Sequence, residues 1–246
     1  MGVLETEALV LRSYNLAEAD KIVVCLTRSS GLVRGVARGS RKLKNRFGAA
    51  LEPFTHINLT CYLKENQELI SVRQAEILRS HFNLSSNAET LAGLAYMGDL
   101  VMEFSPPYQR NEKLFRMVKA CLESVADSPT DLDSILRYFE IWLLRLEGFL
   151  PDLKHCSECL RAFTETEPVV ITSELGLNCR ECNRAGHALS KTLHRQLRST
   201  EKLAPNLFAQ QFRSASKQTK RELAELTHQT IARVLERQPR VRPSFK

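Results

Sequence analysis

Four cysteines stand out by their spacing. Cys156-x-x-Cys159 is followed, 19 residues later, by Cys179-x-x-Cys182. Each such turn aims two thiolates at one point, and two turns joined by a hairpin make a tetrahedral four-sulfur site of the kind that holds Zn²⁺. Val169–Ile171 and Leu175–Leu177 are the candidate hairpin strands. Four protein ligands leave no open position for water or substrate, so the expected cofactor is one structural Zn²⁺ per chain, with no catalytic role. His155 and His187 flank the set, but the four sulfurs suffice. An iron–sulfur cluster, two disulfides and four idle thiols remain the alternatives. The other three cysteines, Cys25, Cys61 and Cys121, sit singly in apolar runs, where a free thiol acts as a small hydrophobe. This usage suits a reducing compartment and predicts a cytoplasmic protein.

A second feature is the run Arg34–Phe47. It holds six basic residues (Arg34, Arg38, Arg41, Lys42, Lys44, Arg46) and no acidic one. Gly35 and Gly39 allow the backbone to approach a ligand closely. Spread along one loop, these cations are candidates to neutralise the phosphates of DNA. Phe47, Tyr14, Phe54 and Tyr62 are candidate stacking surfaces for bases. A weaker basic set lies near the C-terminus. Lys217, Lys220 and Arg221 open a helical stretch, and Arg233, Arg237, Arg240 and Arg242 close it. The phosphate-binding and catalytic motifs GxxxxGK[ST], GxGxxG, HExxH and GxSxG are missing, and the reading is of a non-enzyme.

The elements that must carry these residues change character along the chain. Residues 1–80 read as five short strands: Thr6–Arg12, Lys21–Thr27, Gly31–Arg38, Pro53–Leu63 and Leu69–Leu78. Five strands in that length suit a small closed barrel, of which the oligonucleotide-binding OB-fold is the five-stranded form. From Asn83 the period becomes helical. One helix ends at Pro106-Pro107, a second starts at Asn111, and a third starts at Asp131 and stops near Gly148. Residues 155–187 hold the paired cysteines. Helices return at Ser190–Thr200 and Ser216–Arg237, before a loose tail. The predicted class is α+β. A barrel over residues 1–80 precedes a mainly helical domain over 81–246, which carries a zinc-ribbon-like insertion at about 152–188.

Charge sharpens the division. The net charge of +7 separates into +4 over residues 1–80, −7 over 81–183 and +10 over 184–246. The basic ends favour a polyanionic partner, and the acidic middle favours proteins. No run approaches the ~18 apolar residues of a membrane span.

With these residues in view, the chain resembles the RecO family of bacterial recombination mediators. The resemblance rests on GLVRGVARGSRKLKNRFGAALEPF with the later AEIL, and on LRYFEIWLLRLEGFLPDLKHCSEC. It runs over nearly the whole chain. It implies an OB-fold, a helical domain and a zinc-finger-like insertion. It also implies binding of single- and double-stranded DNA, annealing of complementary strands and a nucleoid-associated place. The implied partners are the single-stranded DNA-binding protein (SSB) and RecR, with functional links to RecA and RecF. Joint action would load RecA on SSB-coated gaps. The acidic, apolar SSB tail needs a cation beside an apolar pocket, and Arg116, Lys119 and Arg137 are the candidates. The rival readings are a zinc-containing RNA-binding or transcription-associated module, and a scaffold for acidic partners.

Overall fold

The computed structural model describes residues 2–63, 69–164, 167–172, 176–184 and 187–239. The chain is α+β and divides into two compact units, one ending at Pro129 and one running from Thr130 to Pro239.

In the first unit, β1 (Gly2–Leu16), β2 (Asp20–Thr27), β3 (Gly31–Ala37), β4 (His56–Leu63) and β5 (Ile70–Arg79) form a closed barrel in the order β1-β2-β3-β5-β4. Strand β1 runs longer than the sequence pattern suggests because it pairs along one end with β4 and along the other with β2. A register shift between Val10 and Arg12 bends it between the two partners. Ala8, Val10, Val23, Cys25, Ile57, Leu59, Cys61 and Val72 fill the interior. Only β3 and β5 pair in parallel, with Gly35 opposite Ile70 and Val36 opposite Ser71. A Cβ on Gly35 would stand 2.8 Å from both Ile70 Cγ1 and Val72 Cγ2. Glycine is what lets the barrel close there.

Two helices belong to this unit. Asn87 caps α1 (Ala88–Phe104) by accepting from Thr90 N at 2.9 Å. Asn111 caps α2 (Glu112–Asp127) by accepting from Leu114 N at 3.0 Å. Ion pairs bind both to the barrel. Arg12 pairs with Asp99. Arg28 reaches Glu7 and Glu112, each at 2.9 Å. His56 Nε2 lies 3.0 Å from Glu7 Oε2, and its ring meets Phe115 at 6.2 Å between centroids. Burial, together with the Lys119 charge, holds His56 below its ordinary value, so it is neutral near pH 7. Residues 82–127 therefore pack with the barrel, although the change of sequence period falls at about residue 80.

The second unit contains α3 (Leu132–Leu146), α4 (Lys191–Ser199), α5 (Pro205–Arg213) and α6 (Lys217–Val234). It also contains a small antiparallel sheet of β6 (Val169–Ile171), β7 (Leu177–Cys179) and β8 (His187–Leu189), ordered β7-β6-β8. Its core stacks Phe208 on Phe212 at 5.2 Å and sets Tyr138 against Phe208 at 5.6 Å. Asp131, expected as the cap of α3, makes no capping bond. Its carboxylate instead takes both oxygens' worth of bonds from Arg213 Nη2, each at 2.7 Å. Inside the unit, fully buried Glu140 accepts from Arg137 Nη1 at 2.7 Å and from Thr227 Oγ1 at 2.5 Å. No helix among the described residues is long and apolar enough to cross a membrane.

Two stability outcomes follow. Gly35→Val forces two extra methyl groups into the β3–β5 seam and is expected to cost about 1–3 kcal/mol by chemical denaturation. Arg137→Met strands a buried carboxylate and is expected to cost about 3–5 kcal/mol, most of it recovered by adding Glu140→Leu.

Candidate metal centre and nucleic-acid interface

The four cysteines of the second unit converge. Their Sγ atoms all lie within 4.8 Å of one another, and Cys159 and Cys179 are 3.9 Å apart. Four thiolates at about 2.3 Å from a central Zn²⁺ stand about 3.8 Å from each other, so this set fits a closed tetrahedral ion. Backbone bonds build the two turns. Cys156 N donates to Arg161 O at 2.9 Å and Leu160 N to Cys156 O at 3.0 Å, while Asn183 N donates to Cys179 O at 3.0 Å. Leu160 takes φ of 61° to complete the first turn. Cys179 N lies 3.3 Å from Cys156 Sγ and donates to it across the pair. Strand β6 sets the register, with Val169 opposite Cys179. The hairpin therefore uses Leu177–Cys179, two residues later than the sequence pattern suggested, and gains a third strand.

The clustered thiols differ in their electrostatics. Burial alone would raise the Cys156 thiol, but backbone N–H groups of Cys159, Cys179 and Glu158 outweigh it and lower the thiol to about 6. Cys182 is pushed up to about 12, first by hydrogen bonds with Cys179 and Cys159 and then by burial. Adjacent thiolates repel, which favours the protonated form of Cys182; a cation held by the four sulfurs would relieve that repulsion. Arg161 holds Glu167 through two bonds of 3.0 and 2.7 Å and also reaches Cys179, which places a positive group beside the sulfurs. The other three thiols behave differently. Cys25, Cys61 and Cys121 are buried core residues, and burial pushes Cys25 up to about 12 and Cys61 to about 11.

In the first unit, the basic run leaves β3 and forms a loop of successive turns. Three bonds pin the loop to the β1–β2 connection. Gly39 N donates to Asp20 Oδ1 at 2.8 Å, Arg41 N to Ala19 O at 3.0 Å and Arg41 Nη1 to Ala17 O at 2.8 Å. Asn45 Oδ1 accepts from Phe47 N and Gly48 N, both at 2.9 Å, and closes the next turn. Arg34, Arg38, Arg41, Lys42, Lys44 and Arg46 are all exposed. None of the six pairs with a carboxylate among the described residues. Arg12, Lys21, Arg28, Arg79, Arg110 and Lys119 of the same unit all do. The acidic residues thus neutralise the helix-facing cations and leave the loop charged.

The aromatics divide. Phe47 is 3% exposed and Phe54 7%, so both are core residues and neither is a stacking platform. Arg46 covers the Phe47 ring at 4.8 Å. Tyr14 is 45% exposed. Tyr62 is half-buried, opposite Ser71, with the Arg73 guanidinium 4.7 Å from its ring centroid. Arg73 is an exposed cation on β5 that the search for basic runs passed over. Only its place in the alternation of β5 could have marked it.

The remaining candidates are less favourably placed. Arg137 is 6% exposed and bound to Glu140, so it is a core residue and not a contact for a partner's tail. Arg116 is exposed on α2, while Lys119 faces Glu7 at 3.6 Å. Lys217 and Arg221 are exposed, but Lys220 Nζ donates to Arg213 O at 3.0 Å and caps α5. Arg240 and Arg242 lie outside the described residues.

Comparison with known proteins agrees with this architecture. The family model described as Recombination protein O N terminal matches residues 1–81. The one described as Recombination protein O C terminal matches residues 85–243. The chain belongs to the RecO family. The DNA repair protein RecO of Koribacter versatilis is 36% identical over 155 residues, 63% of each chain. That of Dehalococcoides mccartyi is 27% identical over 96% of this chain and 92% of its own. That of Symbiobacterium thermophilum is 33% identical over 76% and 74%. The RecO N-terminal domain is an OB-fold, and the closed five-stranded barrel agrees with that. RecO proteins are recombination mediators in DNA repair and not enzymes.

The sulfur geometry gives a direct test. Metal-free protein is expected to take up about one Zn²⁺ per chain with release of protons, followed by calorimetry in two buffers. Uptake weakens as pH falls, because protons compete for the thiolates. Cys156→Ser is expected to lose tight uptake.

Proposed function

We propose that this chain is a DNA-binding and strand-annealing mediator of recombinational repair, held in shape by one structural Zn²⁺. It binds single- and double-stranded DNA. With SSB and RecR, and linked in function to RecA and RecF, it promotes RecA loading on gapped single strands. It acts in the cytoplasm, on the nucleoid. The observation that carries the reading is the stretch of β3 and the loop leaving it, whose six cations have no carboxylate partner among the described residues. Paired cations have already spent their field, whereas these six can displace counterions from phosphates. Arg34, Arg38, Arg41, Lys42, Lys44 and Arg46 are the proposed contacts, with Arg73 and Tyr62 beside them on the outer barrel face.

Annealing makes no covalent bond. It needs two polyanions held together despite their repulsion, and distributed cations lower that repulsion. Partner docking is proposed on the helices. Of the three candidates there, Arg116 is the exposed one without a carboxylate partner among the described residues, left for an acidic, apolar tail.

Binding to a mixed-sequence single strand is expected to fall steeply with salt. Replacing Arg38, Arg41 and Lys42 by Ala is expected to flatten the log–log slope by about 2, at about 0.7 per single-strand phosphate, with thermal stability kept. In a second assay, the parent protein is expected to speed annealing of SSB-coated complementary strands. A folded protein that leaves that rate unchanged contradicts the reading.

A further inference from the structure

The second unit carries a concentration of charge that the barrel loop does not account for. A cleft of about 440 Å³ is lined by Lys154, Lys191, His194, Arg195, Arg198, Ser199, Glu201, Lys202 and Gln211. Lys191, Arg195 and Arg198 lie on one stripe of α4 at spacings of four and three residues, and Lys202 continues it past the helix end. Side chains so spaced stand about 5–6 Å apart at Cβ, so the stripe presents a row of separate positive charges.

Two facts decide what this row can hold. The lining has one carboxylate, Glu201, and it is already engaged by Lys154 at 2.7 Å and by Arg145 at 3.8 Å. Lys191, Arg195, Arg198 and Lys202 have no carboxylate partner among the described residues. Their charge is uncompensated, as on the barrel loop. Further, apart from the His194 ring, the apolar surface of the cleft is the stems of its Lys and Arg, and no Leu, Ile, Val, Met, Phe, Tyr or Trp side chain lines it. An acidic peptide with an apolar anchor would find no hydrophobic pocket there. A chain of phosphodiesters needs only regularly spaced cations and tolerates a wet, polar floor. His194 adds no charge, because burial, foremost, holds it below its ordinary value and its Nε2 lies 2.7 Å from Leu153 O.

We infer that the α4 cleft is a second phosphate-binding site, which holds the backbone of a nucleic-acid strand through Lys191, Arg195, Arg198 and Lys202. This deepens the proposed function and rests on it: one strand engages the barrel loop of the first unit and another the α4 cleft of the second. Two phosphate-binding faces on one chain are the least that a protein needs to hold two strands at once.

The test uses the full chain with Lys191, Arg195 and Lys202 replaced together by Gln. All three are exposed, and a thermal melt within about 2 °C of the parent shows the fold intact. If the parent itself binds no single-stranded DNA, the proposed function fails and this inference fails with it. If the parent binds, the triple variant is expected to keep first-strand affinity within about threefold and to anneal complementary strands at least tenfold more slowly. The salt slope measured with excess strand should fall by about 2. An annealing rate and slope equal to the parent's would overturn the α4 site and leave the barrel reading standing. A separate arm titrates inorganic tripolyphosphate. Displacement of labelled strand only at concentrations far above that of competing oligonucleotide supports a strand site. Equal potency per phosphate would overturn it in favour of a compact free polyanion.

Discussion

Gly35 lets β3 and β5 run side by side in parallel, and that contact closes the barrel. With Ile70 and Val72 occupying the space a Cβ would need, the seam has no room for a side chain. Closure removes the open edges of the sheet and fixes where β3 ends. The basic loop leaves from that end, so its starting point is set by a steric fact about one residue. The bonds from Gly39 and Arg41 to the β1–β2 connection then fold the loop back over the barrel rim. A cationic loop on an open sheet would be free to wander, whereas this one is presented.

Charge pairing does the rest of the sorting. A net charge says how many cations exceed anions, but pairing says which ones. Glu7 is the clearest case, for it gathers the cations Arg28 and Lys119, with the neutral His56 ring, around one carboxylate. Its own titration is held below the ordinary value: burial opposes this, and the bond from Arg28 and the Lys119 charge outweigh burial. Each cation gathered in this way is lost to solvent and to partners. The loop cations and those of α4 are left over because no acid reaches them.

Much of this was legible in the sequence. Alternation marked β3 and β4, and runs rich in Val, Leu and Ile marked the other three strands. Asn111 announced α2 as a cap should. The CxxC pairs announced their own convergence, since the spacing itself builds the turns. The misses have tertiary causes. Helix α5 went unseen because Pro205 to Arg213 is short and its Phe208 and Phe212 look like an isolated pair until Tyr138 packs on them. Asp131 was read as the cap of α3 and Arg137 as a contact for a partner's tail. Each is a partner in an ion pair with a residue distant in sequence or on the next helical turn, and no pattern along the chain shows burial of a charge. Phe47 and Phe54 lie beside a basic run and so resembled base platforms, yet the barrel core takes both. Lys191, Arg195 and Arg198 escaped a search for contiguous basic runs because a helix gathers what the sequence spaces apart.

The cysteines divide the chain's sulfur chemistry in two. Burial keeps Cys25, Cys61 and Cys121 protonated far above neutral pH, so they offer almost no thiolate to an oxidant or alkylating reagent. In the cluster, Cys156 and Cys179 are held below the ordinary thiol value and Cys182 above it, and Cys159 and Cys182 are the exposed pair. A reagent that attacks sulfur on the folded chain therefore meets exposed thiols at Cys159 and Cys182 alone, both in the second unit, while the barrel keeps its two cysteines out of reach.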